Sequence, residues 1–419
     1  MSAGGRTISE KILSAKANRD ARAGDVVTCT PDLILGTDAS TPMAIDYFGR
    51  MGGTSVRDAS HVMFACDHYA PPTSDRTRAF HALMRAFAKQ HGIMMHEVGD
   101  GISFQIATEQ GRALPGHLVI GADSHTVTCG ALGLFATGVG SSDLAAALVT
   151  GTVWLRVPET IRVTLTGALR PGVMAKDLAL HLVGMVGADG ANYQTLEFHG
   201  PGVRTLSLDD RLVVCNLGVE MDAKASIFPF DATTEEYLAP RTRERGTSVM
   251  SDDDAAFARE ILIDLSAVTP RIARPHAPDN VTPLASAIGT AVQMVFIGTC
   301  TGGRISDLHA ALAVLESLGG KVAPGVQLVV TPASREVAER ARADGTLDGL
   351  QRAGAIITET GCGACCGTSG VIPGNGATVV STANRNFKAR MGNATASIYL
   401  ASPAACAAAA ATGRIVEVA

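Results

Sequence analysis

The sequence predicts an α/β protein with a largely parallel sheet, and three observations support that prediction. Short β-rich apolar runs alternate with longer Ala/Leu-rich stretches along 419 residues, which is the pattern of strands joined by crossover helices. Aromatic residues make up only 4% and glycines number 45, which indicates aliphatic packing with many tight turns. The length exceeds one ordinary domain and predicts two or three.

Composition and charge exclude several classes of protein. Hydrophobic residues are 46% and charged residues 18%, so the chain can build a sizeable core and is not globally disordered. A net charge of −5 provides no global basic field for nucleic acid or anionic lipid. No apolar run approaches membrane-helix length, and the N-terminus lacks the apolar stretch of a secretory signal. We expect a cytoplasmic protein whose nine cysteines are reduced thiols or metal ligands.

The elements follow from the apolar runs and from their flanking residues. Thr7 and Glu10 predict a capping box at the start of the first helix. We predict strands at residues 61–65, 118–120, 161–165, 292–297, 328–330 and 378–381. We predict helices at residues 8–17, 76–91, 143–155, 253–265, 307–318 and 335–343. A polar stretch with three prolines at 269–282 predicts a linker.

Reactive or polar side chains follow five of the strand-like runs. The segments are Cys66-Asp67-His68, Asp123-Ser124-His125, Thr299-Cys300, Gly361 to Gly367, and Asn384-Arg385. In open α/β sheets, ligands bind beyond the carboxyl ends of the strands. We therefore expect these segments to converge on one cleft.

Three cysteines are candidate metal ligands. Cys362 and Cys365 form a C-x-x-C among glycines, and Cys300 follows another strand. The C-x-x-C by itself fits a zinc hook, a redox pair or no function. Structural zinc normally needs four protein ligands, whereas three cysteines on a [4Fe–4S] cluster leave one iron open, unlike the usual four-cysteine arrangement. Cys366 is an alternative to Cys365, and their adjacency disfavours using both.

Every other candidate residue also has a purely structural interpretation. Asp67 and His68 could cap a turn, and Ser124 and His125 could satisfy their own backbone. Glu220 could be a surface carboxylate of a helix. The arginines at 385 and 390 could be solvated charges at a helix start. Spacing alone does not decide between these interpretations and a catalytic one.

Segments along nearly the whole chain resemble the aconitase/isopropylmalate isomerase family of iron–sulfur hydro-lyases, in particular its 3-isopropylmalate dehydratase large subunits. They occur in the family's order and include DHYAPP, GADSHTVTCGALGLFATGVGSSD, IGTCTGGRISDL, GCGACCG and STANRNFKARMG. The resemblance implies an aconitase-like fold of three mixed α/β domains around a cluster cleft, which we place at 1–157, 158–280 and 281–419. It also implies a [4Fe–4S] cluster on Cys300, Cys362 and Cys365.

The resemblance further implies the chemistry, which is dehydration and isomerisation of a malate-type hydroxy acid. The default substrate is 3-isopropylmalate, converted through 2-isopropylmaleate in leucine biosynthesis. Homoaconitate, 2,3-dimethylmalate, 2-methylmalate/citraconate and maleate are alternatives. Residues matching the family's catalytic groups are Asp67, His68, Asp123, His125 and Glu220. Residues matching its substrate-binding groups are Ser124, Asn216, Asn384, Arg385 and Arg390.

Three positions depart from the family pattern. Phe104 stands where the family has a histidine that pairs with the carboxylate matching Asp123, so one acid–base pair is expected to be lost. Gly302 replaces a usual asparagine, which removes a polar contact near the cluster. Thr37 replaces a common histidine. These departures bear on the choice of substrate more than on hydro-lyase chemistry.

The resemblance also implies a partner chain. Single-chain aconitases carry a C-terminal swivel domain whose serine is the base, and no matching segment is found here. We expect a separate small subunit to supply it, and this chain alone to be inactive or nearly so. No nucleic-acid or membrane partner is expected. A non-catalytic iron sensor that binds RNA is an alternative that the acidic composition disfavours, and a structural zinc protein is another.

Overall fold

Three main β-sheets follow one another along the chain in the computed structural model, which describes residues 4–418. The first part begins with helix α1 (Ile8–Ala17), whose predicted capping box between Thr7 and Glu10 is present. Its strands are β1 (Val26–Cys29), β2 (Leu33–Thr37), β3 (Val62–Ala65), β4 (Met94–His96), β5 (Leu118–Gly121), β6 (Phe135–Gly138) and β7 (Val153–Arg156). Its further helices are α2 (Thr41–Arg50), α3 (Asp75–His91), α4 (Ser103–Glu109) and α5 (Ser141–Thr150).

The first sheet is parallel throughout and has the order β4-β3-β2-β5-β6. Strands β1 and β7 form a separate antiparallel pair. Helix α5 ends five residues before the predicted end at 155, because Gly151 adopts a left-handed conformation with φ of 73° and β7 follows. Left-handed glycines commonly end helices in this way.

The second sheet is also parallel and has four strands. They are β8 (Thr160–Thr166), β9 (Thr195–His199), β10 (Ala225–Ile227) and β11 (Arg259–Asp264), in the order β10-β9-β8-β11. The accompanying helices are α6 (Ala175–Val186), α7 (Leu208–Asn216) and α8 (Ala232–Leu238). A 3-10 helix at Leu217–Met221 continues directly from α7.

The third sheet has seven strands in the order β13-β12-β18-β17-β14-β15-β16. They are β12 (Arg271–Ala273), β13 (Val281–Pro283), β14 (Met294–Gly298), β15 (Gln327–Thr331), β16 (Ile356–Ile357), β17 (Thr378–Ser381) and β18 (Ser397–Leu400). Its helices are α9 (Ile305–Ser317), α10 (Arg335–Ala343), α11 (Thr346–Ala353) and α12 (Pro403–Thr412). Only the contacts of β12 with β13 and β18 are antiparallel among these described strands.

Two predictions from the sequence are wrong in this region. Residues 253–265, predicted as a helix, instead contain β11, which pairs along all six residues with β8. Ile261 and Ile263 are two residues apart and therefore lie on one face of a strand, which pairs with β8. The predicted linker at 269–282 contains β12 and the start of β13. The domain boundaries remain a prediction, although β12 joins the third sheet ahead of the boundary predicted at 280.

The largest buried core joins all three sheets. It includes Met63 of the first sheet, Val163 of the second and Phe296 of the third, together with Cys300 and Cys365. Two smaller cores lie on the outer sides of the first and third sheets. The candidate ligands are therefore anchored where the three sheets meet. Within the described part of the chain, no helix has both the length and the apolar character that crossing a membrane requires.

Candidate active site at the strand ends

The pair Asp67 and His68 lies directly after β3. The Nδ1 atom of His68 is 2.8 Å from Asp67 Oδ1, and Asp67 Oδ2 accepts the backbone N–H of Ser103 at 2.9 Å. Asp67 is fully buried, and His68 is half-buried. Because both carboxylate oxygens are engaged, the carboxylate fixes the orientation of the imidazole and assigns the proton to Nδ1.

Asp38 and His81, which the sequence alone does not single out, fix the backbone of the segment that carries this pair. One oxygen of Asp38 accepts the backbone N–H of His68 at 2.9 Å. The other accepts the backbone N–H of Tyr69 at 3.0 Å and lies 2.7 Å from His81 Nε2. Asp38 follows β2, the neighbour of β3, so its position at a strand end was an available signal.

His125, Glu220 and Arg385 form a contact chain between the three parts of the protein. His125 Nε2 is 2.8 Å from Glu220 Oε1. The Arg385 Nε–H donates to both oxygens of Glu220, at 2.9 and 3.1 Å. His125 follows β5, Glu220 lies in the 3-10 helix after α7, and Arg385 follows β17. Glu220 therefore holds one histidine and one arginine in place.

Asp123 connects the two histidines. Its Oδ1 accepts the backbone N–H of His125 at 2.7 Å, and its Oδ2 lies 3.4 Å from His68 Nε2. Ser124 contributes a hydroxyl 3.4 Å from His125 Nδ1. The two predicted histidine pairs are thus parts of one continuous polar network.

The candidate cysteine ligands come from two loops. Cys300 lies in the 3-10 turn Thr299–Thr301 after β14, and Cys365 lies in the turn Gly363–Cys366. Thr299 has a φ of 63°, a left-handed conformation that is unfavourable for a β-branched residue and marks a constrained loop. The backbone N–H of Cys362 donates to the carbonyl of Asp67 at 2.9 Å, which places the C-x-x-C against the Asp67–His68 pair.

Two asparagines line the cysteines. Asn384 Nδ2 lies 3.4 Å from Cys300 Sγ, and Asn384 Oδ1 lies 3.6 Å from Cys365 Sγ. Asn384 also contacts Asn216, whose amide donates to Thr128 Oγ1 at 2.8 Å. One amide thus contacts thiols of both loops, so Cys300 and Cys365 are brought to the same place.

The neighbours of Cys365 and Cys366 differ. The Cys365 thiol contacts Asn384 and lies 3.7 Å from Arg390 Nη2. The Cys366 thiol instead lies 2.8 Å from Thr368 Oγ1, whose hydroxyl donates to the backbone carbonyl of His68. Cys365 therefore shares its surroundings with Cys300, whereas Cys366 is engaged in a turn.

The charges of the site are set by burial and by close partners. Burial would lower the pKa of His68, but the neighbouring Cys362 and Asp67 raise it well above its ordinary value. Burial would raise the pKa of Glu220, but His125 and Arg385 lower it. Burial raises the pKa of the Cys300 thiol to about 11, with Cys365 contributing. Burial also raises the pKa of Asp67, against the opposing effect of His68. The site thus combines an imidazole whose cationic form is favoured, the carboxylate of Glu220 and closely spaced thiols.

The three departures from the family pattern have structural counterparts. The Phe104 ring is fully buried in the central core, and Asp123 instead has His68 and His125 as neighbours. A β-carbon at Gly302 would lie 2.2 Å from Thr382 Cβ, so this turn packs too closely against the end of β17 for an asparagine side chain. Thr37 is buried, and its hydroxyl lies 3.0 Å from Ser40 Oγ.

The structure brings all five predicted strand-end segments into contact, together with Glu220 and Asn216. It adds Asp38, His81 and Thr128, which sequence reasoning missed. Together the fold and the site define an α/β protein with a thiol-lined polar site at the junction of three sheets.

Comparisons with known proteins specify the family. A profile of the aconitase family (aconitate hydratase) matches residues 10–291 and 285–413, and the chain belongs to this family. It is 44% identical to "3-isopropylmalate dehydratase large subunit 1" of Methanopyrus kandleri and to "large subunit 2" of Archaeoglobus fulgidus, each over 99% of both chains. It is 42% identical to "large subunit 1" of Thermotoga maritima over 99% of both chains.

The solved structure of Thermococcus kodakaraensis aconitase X in its holo form is similar in fold. The TM-score is 0.51 at 14% sequence identity, covering 90% of this chain and 88% of that one. This likeness confirms the aconitase-like fold that the sequence predicts.

Proposed function

We propose that this chain is the cluster-bearing large subunit of a hydro-lyase that dehydrates and isomerises a malate-type hydroxy acid. The observation that carries the proposal is the Asp67–His68 pair lying against the C-x-x-C loop, with Asn384 contacting Cys300 and Cys365. An acid–base pair beside three thiols suits elimination of water assisted by a metal centre. The relatives' names support the same reaction class.

The residues present fit a [4Fe–4S] cluster held by Cys300, Cys362 and Cys365. The donor set consists of three thiols, all of them free, which suits iron–sulfur chemistry better than a four-ligand zinc site. Asn384 and Arg390 place N–H groups near the sulfurs of Cys300 and Cys365 respectively, and such contacts tune iron–sulfur centres. When bound, the cluster would supply a Lewis acid at its iron without a protein ligand.

His68 is the proposed acid that protonates the departing hydroxyl. Asp67 holds its Nδ1, so Nε2 is the nitrogen available for transferring a proton. Asp123, 3.4 Å from that Nε2, stabilises the cationic ring without fixing its proton in a short hydrogen bond. His125 with Glu220 is the second proposed pair. Its Nε2 lies 2.8 Å from Glu220 Oε1, and its Nδ1 lies 3.5 Å from Asp123 Oδ1.

Arg385 and Arg390 are the proposed anchors for substrate carboxylates. Arg385 uses Nε to contact Glu220, which leaves its two terminal nitrogens for a bidentate carboxylate contact. Arg390 lies beside Cys365 and so brings a second cation to the cluster side of the site. Ser124, Asn216 and Asn384 complete the proposed binding set.

A separate small subunit is the proposed partner, and it would supply the base that removes the carbon-bound proton. The relatives are named large subunits, which supports a two-chain enzyme. The proposed substrate is 3-isopropylmalate, converted through 2-isopropylmaleate, and Phe104 in place of the family histidine keeps the related hydroxy acids as alternatives.

The test is anaerobic purification with and without the small subunit, followed by iron and acid-labile sulfide analysis and a hydration assay on 2-isopropylmaleate. We expect about four iron and four sulfide per chain, their loss in Cys300→Ser, and turnover only with the partner. Robust turnover by this chain alone would contradict the two-chain proposal. Absence of iron and sulfide after reconstitution would contradict the function, and zinc without sulfide would favour a structural zinc protein.

Substrate choice needs a separate assay on the reconstituted complex. Homoaconitate, 2,3-dimethylmalate, 2-methylmalate and maleate are compared with 3-isopropylmalate by kcat/KM. A preference for one of the alternatives would retain the hydro-lyase function and replace the default substrate. Binding of RNA by the cluster-free chain, with no turnover of any acid, would favour the iron-sensor alternative.

A further inference from the structure

Lys176 is a fully buried cation that the proposed reaction does not use. It lies in the first turn of α6 with 1% of its surface exposed. Its ammonium donates to the backbone carbonyls of Thr382 and Ala383, both at 2.8 Å. The second sheet's helix therefore reaches across to the loop that follows β17 in the third sheet.

Within residues 4–418, the Lys176 ammonium contacts backbone carbonyls and forms no direct ion pair. Among residues 4–418, no carboxylate oxygen lies within 4 Å of its nitrogen. Burial lowers the pKa of this lysine to about 8, and the acidic side chains close enough to act against that shift are Cys300, Cys406, Cys365 and Asp307. Its place at a helix N-terminus adds positive potential. An uncompensated buried charge is costly, so a further anion close to this lysine would stabilise the buried ammonium.

Arg304 is a second buried cation on the same side of Cys300. It is 1% exposed, and its Nη1 donates to the Cys300 carbonyl at 2.5 Å. Its Nε and Nη2 have no hydrogen-bond partner among the described residues. Two cations thus lie behind the Cys300 loop without a direct ion pair among the described residues. Asp307, whose carboxylate accepts the Arg304 backbone N–H at 3.0 Å, is an acidic side chain that acts on both of them.

The contacts of Lys176 connect directly to the cysteine site. The Thr382 carbonyl also accepts the hydroxyl of Thr301, which follows Cys300. Ala383 precedes Asn384, whose amide lies 3.4 Å from Cys300 Sγ. One ammonium therefore ties the Cys300 loop to the segment that carries Asn384 and Arg385.

Resting on the proposed function, we infer that Lys176 is a positioning and counter-charge residue of the cluster site, with Arg304 as its second cation. A [4Fe–4S] centre held by three thiolates is anionic, and net charge and nearby fields set its reduction potential. The lysine would offset that charge through the Thr382–Ala383 backbone while fixing the loops that present Cys300 and Asn384. Its ammonium hydrogen-bonds to the Thr382 and Ala383 carbonyls and to none of the proposed ligands.

The test measures the one-electron midpoint potential of the reconstituted cluster by EPR-monitored titration. Lys176→Gln removes the charge and keeps an N–H donor, so the reduced cluster should become about tenfold less stable relative to the oxidised one, which lowers the midpoint by about 59 mV. A tenfold effect is about what a unit charge exerts on a cluster about 10 Å away at an effective dielectric constant of about 20. Lys176→Arg should retain the wild-type midpoint, and Arg304→Gln should lower it.

The matched control is Lys224→Gln. Lys224 is half-buried, burial lowers its pKa, and it donates to a backbone carbonyl, that of Gly138, at 3.2 Å. Asp143, and no cysteine, is the charged group that acts on it. The Lys224→Gln variant should therefore keep the wild-type midpoint.

A second readout compares thermal unfolding with and without the cluster. Lys176→Met, which removes both charge and hydrogen bonds, should lose more stability in the loaded protein than in the cluster-free protein. Equal losses in the two forms, or an unchanged midpoint in Lys176→Gln and Arg304→Gln, would overturn this role alone. Wild-type protein that takes up no iron or sulfide would overturn the proposed function, and this role with it.

Discussion

Replacing Asp38 by asparagine should open the segment that carries the proposed acid. Asp38 is fully buried, and its two oxygens receive N–H groups from His68, Tyr69 and His81 at 2.7–3.0 Å. An asparagine has the same shape but only one accepting oxygen, and its NH₂ group can only donate. Whichever way the amide is turned, at least one buried N–H loses its acceptor.

The magnitude follows from the cost of that loss. An unsatisfied buried donor costs about 1–3 kcal/mol, and hydrogen bonds to a charged acceptor contribute about 1.5–3 kcal/mol. We expect Asp38→Asn to lower the free energy of opening this segment by about 2–4 kcal/mol. At about 1.4 kcal/mol per tenfold, amide exchange should accelerate about 30- to 1,000-fold.

The assay is hydrogen–deuterium exchange read by mass spectrometry on peptides that span residues 62–70. Asp46→Asn is the matched control, because Asp46 is 65% exposed and its ion pair with Arg50 is 3.6 Å long. Surface substitutions of this kind change stability by less than about 0.5 kcal/mol. Unchanged exchange in Asp38→Asn would refute the argument that the three donors depend on this carboxylate.

Further predictions concern protonation and ligation. Burial raises the pKa of Glu109 from 4.5 to about 7. Its protonated form therefore contributes to the free energy of unfolding below about pH 4.5, and this contribution is lost as the pH rises to about 7. As the pH rises from 5 to 8, the free energy of unfolding of the neutral isostere Glu109→Gln should increase by about 1–3 kcal/mol relative to that of the wild type. Urea unfolding midpoints of both proteins at pH 5 and at pH 8 check this. In the reconstituted complex, Asp67→Asn should lower kcat about 10²- to 10⁴-fold with iron content unchanged. Iron analysis should show cluster loss in Cys365→Ser and retention in Cys366→Ser, and the reverse would reassign the ligand.

The sequence predicts the fold class and the strand ends well because parallel strands are buried on both faces. The runs that become β3, β5, β14 and β17 are nearly continuous apolar stretches, and each is found within two residues of its predicted bounds. The edge strand β11 lacks such a buried run, since only Ile263 of its six residues is buried and Leu262 is 69% exposed. Its pairing with β8 is a tertiary contact that local periodicity does not encode.

The candidate site is predictable to the extent that its residues follow strands. Asp67, His68 and His125 could be found in this way, and the resemblance supplied Glu220, which lies on a 3-10 helix. Lys176 gave no signal, because a lysine in the first turn of a helix is ordinarily solvated. The packing of α6 against the end of β17 buries Lys176 and brings its ammonium to the Thr382 and Ala383 carbonyls, next to Asn384.

The contacts between site residues also hold the three parts of the protein together. His125 and Glu220 join the first part to the second, and Arg385 joins the second to the third through the same carboxylate. The Cys362 N–H closes the ring by donating to the Asp67 carbonyl, from the third part to the first. Because each contact is a positional restraint, an error in the packing of any two sheets displaces one of the groups that we propose as acid, base or anion-binding residue. The proposed protonation chemistry therefore depends on the same contacts that fix how the sheets pack.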